Sequence, residues 1–190
     1  MIVYGIVASP RKGGNTDLLL THTLRGAAAV GAETEKIYIH DLEIKPCLDC
    51  EDEPDDECLI KDDMAVIYDL LRRADYIVIG TPIYYGTVPG PLKNLIDRCN
   101  CIQGRITKKK KVLLVVTSDR SHRLRCLLRL IEIWSTEVSG DIVDLIIVTD
   151  TGKRSVSERP GLLDHAYYKG QTLIKGSLPF TRFERTNAIF

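Results

Sequence analysis

The sequence predicts an α/β fold, in which one doubly wound sheet of five parallel strands is covered by helices on both faces. Five short apolar stretches of strand length alternate with five segments of helical periodicity. No internal repeat or low-complexity linker interrupts this alternation, and the 190 residues suit a single domain, 1–190, with a sizeable core. Apolar strands that alternate with helices are typical of a parallel sheet that is buried on both sides.

Each strand and helix has its own signal in the sequence. The predicted strands are apolar, mostly β-branched stretches at residues 2–7, 35–39, 76–80, 112–117 and 142–148. The predicted helices cover residues 17–31, 64–71, 91–96, 124–134 and 162–174, where apolar side chains recur at helical spacing. We expect Asp62 or Asp63 to cap the second helix and Pro91 to open the third. Residues 40–61, between the second strand and the second helix, form a long acidic loop that contains cysteines.

The composition argues against a membrane partner and against a nucleic-acid partner. The 26 basic and 26 acidic side chains balance, and no apolar run approaches membrane-spanning length. The N-terminus enters a strand without the layout of a signal peptide, so we expect a cytoplasmic protein. A basic stretch at residues 105–129 is interpreted as a solvated rim or a docking surface for anionic cofactors, because Lys108–Lys111 directly precede a strand.

The segment Ser9–Thr16, with the sequence Ser-Pro-Arg-Lys-Gly-Gly-Asn-Thr, lies between the first strand and the first helix. A turn of this kind directs its backbone N–H groups, and those of the first helical turn, toward one point where an anion is stabilised. Ser9 and Thr16 add hydroxyl groups, Arg11 and Lys12 add positive charge, and Asn15 or Thr16 can cap the helix. The segment therefore predicts a phosphate site, with an ordinary strand-to-helix turn as the alternative.

Sequence motifs that are absent from this segment limit the kinds of phosphate-containing ligand that it could bind. It is not Gly-x-x-x-x-Gly-Lys-Ser/Thr, which argues against a nucleotide triphosphatase. Its glycines do not form Gly-x-Gly-x-x-Gly, which argues against a tightly held dinucleotide. It also has no cysteine that could act as the nucleophile of a phosphatase. The segment thus predicts a site that holds a phosphate and leaves it intact.

Three loops are expected to meet around one ligand. Ligands of open α/β sheets bind outside the carboxyl ends of the strands, where the strand order reverses. The loops at that edge are residues 9–16, 82–90 and 118–122. Pro82 and Gly86 keep the second loop close and stiff, while Tyr84 and Tyr85 supply aromatic area for a flat ring. The alternative is that these tyrosines only cover the edge of the sheet.

The motifs in these loops resemble a known family. Ala8–Thr16, together with Thr81–Gly86 followed by Leu92–Arg98, resembles two signatures of the flavodoxin-like flavin reductase family, which includes NADPH-dependent FMN reductases and iron–sulfur flavoproteins. The cysteines at 47, 50 and 58, running into Lys61–Met64, resemble a third signature of the family. The resemblance implies a flavodoxin-like sheet of order 2-1-3-4-5. It also implies bound FMN, NAD(P)H as co-substrate, and a homodimer or homotetramer.

The resemblance also implies which residues bind FMN. Its phosphate would lie on the first loop, at Ser9, Arg11, Lys12, Gly14, Asn15 and Thr16. Its ring would lie along the second loop and the end of the fourth strand, at Pro82, Ile83, Tyr84, Tyr85, Gly86 and Ser118. The phosphates of NAD(P)H are expected to meet Arg120, Arg123 or Arg125. By contrast, Lys93, Asp97 and Arg98 are expected to form a charge pair on a helix surface.

The acidic loop has cysteines at a spacing typical of metal ligands: Cys47, Cys50 and Cys58. The iron–sulfur branch of the resembled family uses four cysteines, and here acidic residues and a proline occupy 51–57, where the fourth would stand. We therefore expect no metal, with an iron–sulfur cluster, zinc or a redox dithiol as alternatives. The other cysteines could supply a ligand but are expected to be small core residues: Cys99, Cys101 and Cys126.

The resulting functional expectation is an FMN-dependent oxidoreductase. NAD(P)H would reduce the flavin, which would then reduce a small acceptor such as a quinone, a free flavin, a metal or a disulfide. Because the flavin carries the chemistry, no catalytic side chain is expected. The alternative is an FMN electron carrier or redox sensor, with or without an iron–sulfur cluster, that serves a protein partner.

Overall fold

A computed structural model describes residues 1–50, 58–119 and 124–176. The strands are β1 (Ile2–Val7), β2 (Glu33–Tyr38), β3 (Tyr76–Pro82), β4 (Lys110–Thr117) and β5 (Gly140–Val148). The helices are α1 (Asn15–Ala28), α2 (Met64–Arg73), α3 (Gly90–Arg98), α4 (Leu124–Glu137) and α5 (Pro160–Lys175). Short 3₁₀ turns occupy Ile39–Asp41, Cys99–Ile102 and Val156–Glu158. None of the helices in these ranges is long and apolar enough to cross a bilayer.

The described strands form one sheet of order β2-β1-β3-β4-β5, and every neighbouring pair is parallel. The chain runs outward from β1 to β2 and then returns to pair β3 on the other side of β1. The strand order therefore reverses at β1, and the loops that follow β1 and β3 lie where open α/β sheets bind their ligands. The predicted fold class and strand order are confirmed.

Two apolar cores cover the two faces of the sheet. Side chains alternate along a strand, so Val3 and Val7 of β1 pack under α1 and α5, whereas Tyr4 and Ile6 pack under α2, α3 and α4. The strands are apolar on both faces because both faces are covered. This arrangement leaves the edges of the sheet, including the carboxyl edge with its loops, for polar residues.

Helices α1 and α5 touch through their backbones. A methyl group built on Gly26 would lie 1.9 Å from the carbonyl oxygen of Tyr167, and one built on Gly170 would lie 1.9 Å from that of Thr23. No side chain fits at either position, so the two glycines set the distance between the helices. The close packing places the turn before α5 against the start of α1.

One expectation about the basic stretch is wrong. Lys110 does not lie on a solvated rim, because it is the first residue of β4 and only 2% exposed. Its Nζ donates hydrogen bonds to the carbonyl oxygens of Lys108 and Val138, at 2.7 and 2.8 Å. Burial, with the nearby charge of Lys108, lowers the pKa of Lys110 to about 8.

Candidate cofactor site

The loop between β1 and α1 is a tight turn that requires glycine. The amide of Ala8 donates to the carbonyl of Gly80 in β3, at 2.8 Å, and the amide of Gly14 donates to the carbonyl of Arg11, at 3.0 Å. A methyl group on Gly14 would lie 2.9 Å from that same carbonyl oxygen. Gly14 is also the N-cap of α1, without a side-chain cap, so the expectation that Asn15 or Thr16 caps this helix is wrong.

The first turn of α1 presents hydrogen-bond donors that have no protein acceptor. Within the described residues, no acceptor contacts the backbone amides of Asn15, Thr16 and Asp17, which lie at the positive end of the helix dipole. Ser9 is buried, and its Oγ accepts the amide of Arg11 at 3.2 Å, which leaves its hydroxyl hydrogen free to donate. These donors, with the exposed guanidinium of Arg11, fit a phosphate group.

The other polar side chains expected at the phosphate have protein partners. Thr16 is buried, and its hydroxyl shares a 2.7 Å hydrogen bond with that of Thr117 at the end of β4. The Oδ1 of Asn15 accepts hydrogen bonds from the Ser155 hydroxyl and the Val156 amide, both at 2.9 Å. These two side chains therefore fix the position of α1 against the sheet and the turn before α5.

Lys12 also has partners outside the first loop. Its Nζ lies 2.6 Å from an Asp41 carboxylate oxygen and 4.9 Å from the centre of the Tyr38 ring. Both side chains of the Lys12–Asp41 ion pair are more than half exposed. The ion pair therefore draws the ammonium group toward the turn that follows β2.

Asp17 is a residue of this site that the sequence reasoning missed. Its buried carboxylate accepts hydrogen bonds from the Gly13 amide at 2.7 Å, Lys36 Nζ at 2.8 Å and the Tyr38 hydroxyl at 2.9 Å. Burial raises the pKa of this carboxyl, but the hydrogen bonds from Lys36, Gly13 and Tyr38 outweigh it, so the pKa lies below its ordinary value. An acid at the third position of a helix, reaching back to the turn before it, was the available signal.

The loop after β3 is a tight two-residue turn that displays an aromatic ring. The backbones of Tyr84 and Thr87 exchange two hydrogen bonds, at 2.9 and 3.0 Å. Tyr85 and Gly86 between them both have positive φ, 49° and 85°, as in a type I′ turn. Glycine, asparagine and aspartate favour the first of these positions, but here a tyrosine stands there with its side chain fully exposed. The Tyr85 ring therefore does not cover the edge of the sheet.

Thr117 joins the three loops. Its hydroxyl contacts Thr16 in the first, and its carbonyl accepts the amide of Ile83 in the second, at 3.0 Å. Ser118 follows directly and begins the third loop, where its amide donates to Val148 at 2.9 Å. The structure thus brings the three loops together at the carboxyl edge of the sheet. Of the arginines expected beyond them, Arg125 lies in α4, and Arg120 and Arg123 lie outside the described residues.

Comparison with known proteins places the chain in a family. A family model described as NADPH-dependent FMN reductase matches residues 1–149. The chain belongs to this family. An iron–sulfur flavoprotein from Methanocaldococcus jannaschii is 39% identical over 113 residues, which are 59% of this chain and 58% of that protein. One from Methanosarcina thermophila is 41% identical over 99 residues, 52% of each chain. The match thus spans a little over half the length of these relatives.

Solved structures that resemble this FMN reductase family member share its fold at low identity. A flavone reductase superposes with a TM-score of 0.75 at 20% identity, over 93% of this chain and 62% of that one. An NAD(P)H:quinone oxidoreductase from Methanothermobacter marburgensis gives 0.70 at 18% identity, over 91% and 96% of the two chains. The flavodoxin-like class that the sequence predicted is confirmed.

The base of the acidic loop is closed by a buried ion pair, which corrects the expectation for Arg98. Lys93 and Asp97 do form an exposed ion pair, but the Arg98 side chain is fully buried and binds both carboxylate oxygens of Asp62, at 2.6 and 3.1 Å. Asp62 also accepts the amides of Lys45 at 2.9 Å and of Met64, the first residue of α2, at 3.0 Å, so the bond to the start of the helix comes from Asp62 and not from the N-cap residue Asp63. The two ends of the loop are thereby held to the end of α3.

The described cysteines do not form a metal site. Cys47 and Cys58 are half-buried and Cys50 is exposed. Across residues 1–50, 58–119 and 124–176, no three histidine, cysteine or acidic side chains are arranged to hold a metal ion. The donor set described here therefore does not fit an iron–sulfur cluster; residues 51–57, which contain no cysteine, lie outside the described residues.

Only one of the three cysteines outside the acidic loop is a core residue. Cys99 is buried as expected, and burial raises the pKa of its thiol to about 12. Cys101 is half-buried on the 3₁₀ turn after α3, and Cys126 is exposed on α4. The expectation of core packing is therefore wrong for Cys126 and holds only in part for Cys101.

Proposed function

We propose that the chain is an FMN-dependent oxidoreductase that passes reducing equivalents from NAD(P)H through bound flavin to a small acceptor. The observation that supports this most is the meeting of three loops at Thr117, one of them lined with amides that lack a protein acceptor. Membership of the FMN reductase family supports this proposal, as does the fold that the chain shares with a flavone reductase and a quinone oxidoreductase.

In this proposal the FMN phosphate occupies the first loop. The amides of Asn15, Thr16 and Asp17 donate to its oxygens, together with the Ser9 hydroxyl and the Arg11 guanidinium. Hydrogen bonds to an ionised acceptor contribute about 1.5–3 kcal/mol each. Because the turn is fixed by Gly14 and Asp17, little ordering is needed when the phosphate binds.

The second and third loops would hold the ring of the cofactor. In this proposal the ring lies along Pro82–Gly86 and Ser118, where the exposed Tyr85 offers an apolar surface. The flavin, when bound, supplies hydride and electron transfer. The chain's own residues bind and orient it and exclude water from one side. We further propose a homodimer or homotetramer, in which a second copy covers the Tyr85 ring.

Comparing FMN with riboflavin tests the phosphate assignment directly. Riboflavin has the same ring and no phosphate, so we expect apoprotein to bind FMN at least about 100-fold more tightly, equivalent to roughly 2.7 kcal/mol. Arg11→Ala should reduce the ratio of the affinity for FMN to the affinity for riboflavin. Arg25→Ala, which removes an exposed arginine from the other end of α1, should not. Equal affinities for the two flavins, measured by fluorescence quenching, would contradict the assignment.

The reaction itself is tested with the loaded protein. Anaerobic mixing with NADPH or NADH should bleach the flavin absorbance, and a quinone should restore it over many cycles. A protein that turns over poorly with every small acceptor, although its flavin is reduced, would instead support the electron carrier. A flavin that neither nicotinamide reduces would refute the proposed electron donor.

A further inference from the structure

A further turn lies against the first loop of the cofactor site. It comprises residues 149–159, between β5 and α5, and begins at the residue where the match to the family model ends. Its Ser155 is half-buried and donates from its hydroxyl to Asn15 Oδ1 at 2.9 Å, and the amide of Val156 donates to the same oxygen, also at 2.9 Å. Because Asn15 is the first residue of α1, the 149–159 turn contacts the helix start at which the phosphate is proposed to bind.

These two hydrogen bonds determine which way the Asn15 carboxamide faces. A backbone N–H group can only donate, so the atom of Asn15 that meets the Val156 amide must be the oxygen. The Nδ2 atom of the same planar group therefore points away from the Val156 amide. Within the described residues no acceptor contacts Nδ2, so its two hydrogens are left for a ligand.

The 149–159 turn is itself held in place from two sides. The Arg159 guanidinium donates to three carbonyl oxygens of the turn, those of Thr149 at 3.3 Å, Arg154 at 2.9 Å and Ser155 at 3.4 Å. On the other side, the amide of Thr151 donates to the carbonyl of Ser118 in the third loop, at 3.2 Å. The turn is thus bonded to both the first and the third loop, so it presents its donors to Asn15 from a fixed position.

We propose that Ser155 and Val156 are positioning residues of the cofactor site, which orient the Asn15 carboxamide so that its Nδ2 donates to the FMN phosphate. The inference rests on the proposed function, because it adds a donor to the same phosphate. Since the carboxamide is oriented before the ligand arrives, little side-chain freedom is lost on binding. Without the turn, Asn15 could present its oxygen instead, and two acceptors would then face each other. The 149–159 turn therefore favours a flavin that carries a phosphate over one that lacks it.

Replacing Asn15 with aspartate tests the orientation of the carboxamide. One carboxylate oxygen can accept the same two bonds from Ser155 and Val156, but the other places a negative charge where Nδ2 lies. We expect Asn15→Asp apoprotein to lose at least about 100-fold in affinity for FMN, because a like charge replaces a donor to an ionised group. Its affinity for riboflavin should change by less than about twofold, as measured by fluorescence quenching. Its midpoint of urea unfolding without flavin should match that of wild type.

Variants of Ser155 test the positioning role. Ser155→Ala should weaken FMN binding about threefold to tenfold and leave riboflavin binding unchanged, whereas Ser155→Thr, which keeps the hydroxyl, should restore the affinity for FMN. In an Asn15→Ala background, Ser155→Ala should have no further effect, because no carboxamide is left to orient. The matched control is Thr172→Ala, which removes a half-buried hydroxyl that donates to the Lys169 carbonyl within α5 and should change neither affinity.

The outcomes separate this inference from the function on which it rests. Wild-type protein that binds FMN and riboflavin equally would refute the phosphate assignment, and the positioning role with it. If wild type prefers FMN and Asn15→Asp binds FMN as tightly as wild type does, the positioning role alone is overturned. It is also overturned if Ser155→Ala weakens the binding of both flavins equally, or keeps its effect in the Asn15→Ala background, because either result means that the turn only stabilises the fold.

Discussion

Replacing Asp17 with asparagine should destabilise the fold and weaken the phosphate loop together. The carboxylate lies at the centre of four donors, because the Thr21 hydroxyl joins Gly13, Lys36 and Tyr38 at 3.2 Å. Asparagine has the same size but only one acceptor oxygen. Its amide group must therefore face either the Gly13 amide or the Lys36 ammonium, and neither of these can accept a hydrogen bond.

The expected loss in the free energy of unfolding follows from the hydrogen-bonding groups that Asp17→Asn leaves unpaired. The Asp17 side chain is 6% exposed and that of Lys36 is 27% exposed, so the lost bond is a largely buried, charge-assisted one. Loss of one such bond and the stranding of its partner cost about 3 kcal/mol of the free energy of unfolding. Because Gly13 is no longer held, we also expect the Kd for FMN to rise about tenfold, roughly 1.4 kcal/mol.

Urea unfolding at pH 7, with Asp41→Asn as the matched control, measures the first effect. Asp41 also pairs with a lysine but is half exposed, so its loss should cost no more than about 1 kcal/mol. The pKa of Asp17 is lowered in the fold, so its contribution is present above the ordinary value of 3.8 and is lost as the pH falls through the folded pKa. Equal costs for the two variants, or a cost that persists unchanged at strongly acidic pH, would refute the reasoning.

Three other outcomes follow from strained or buried positions. Tyr85→Asn should raise the free energy of unfolding by about 1 kcal/mol, because asparagine tolerates positive φ, and should weaken flavin binding; a loss of stability would contradict this. Stability should rise by up to about 3 kcal/mol between pH 8 and 10.5, since the pKa of Lys110 falls from 10.5 to about 8 on folding, and Lys110→Met should lack this slope in urea melts. Gly170→Ala should cost about 3 kcal/mol or more, because its methyl meets the Thr23 carbonyl, whereas Gly161→Ala, with nothing within 4 Å, is the control in thermal melts.

The fold was predictable because its signals are local. Most of the strands are largely apolar runs in the sequence and each helix has its own periodicity, so their alternation predicted a parallel sheet. Strand ends moved by a residue or two, as for β2, which begins at Glu33 rather than Glu35. There the pairing with β1 decides the boundary, and that pairing extends to Ile2 opposite Glu33.

The candidate site was predictable only in part, because several of its contacts join distant residues. The loops at the carboxyl edge follow from topology, but the partners of Asn15 lie about 140 positions away, at Ser155 and Val156. Arg98 looked like a surface residue because it follows Lys93 and Asp97, which form an exposed i,i+4 ion pair; its burial depends on Asp62, 36 positions earlier. No local sequence pattern predicts contacts between residues so far apart in the chain.

The carboxylates of Asp17 and Asp62 have the same structural role. Each lies near the start of a helix at the carboxyl edge, accepts backbone amides from the loop before that helix and binds a cation from another element. One therefore fixes the phosphate loop and the other fixes the base of the acidic loop. A loop held in this way can expose hydrogen-bond donors without collapsing onto them, which a cofactor loop requires. An acidic residue near the start of a helix is therefore the sequence feature with which other members of the family can be searched for preformed loops.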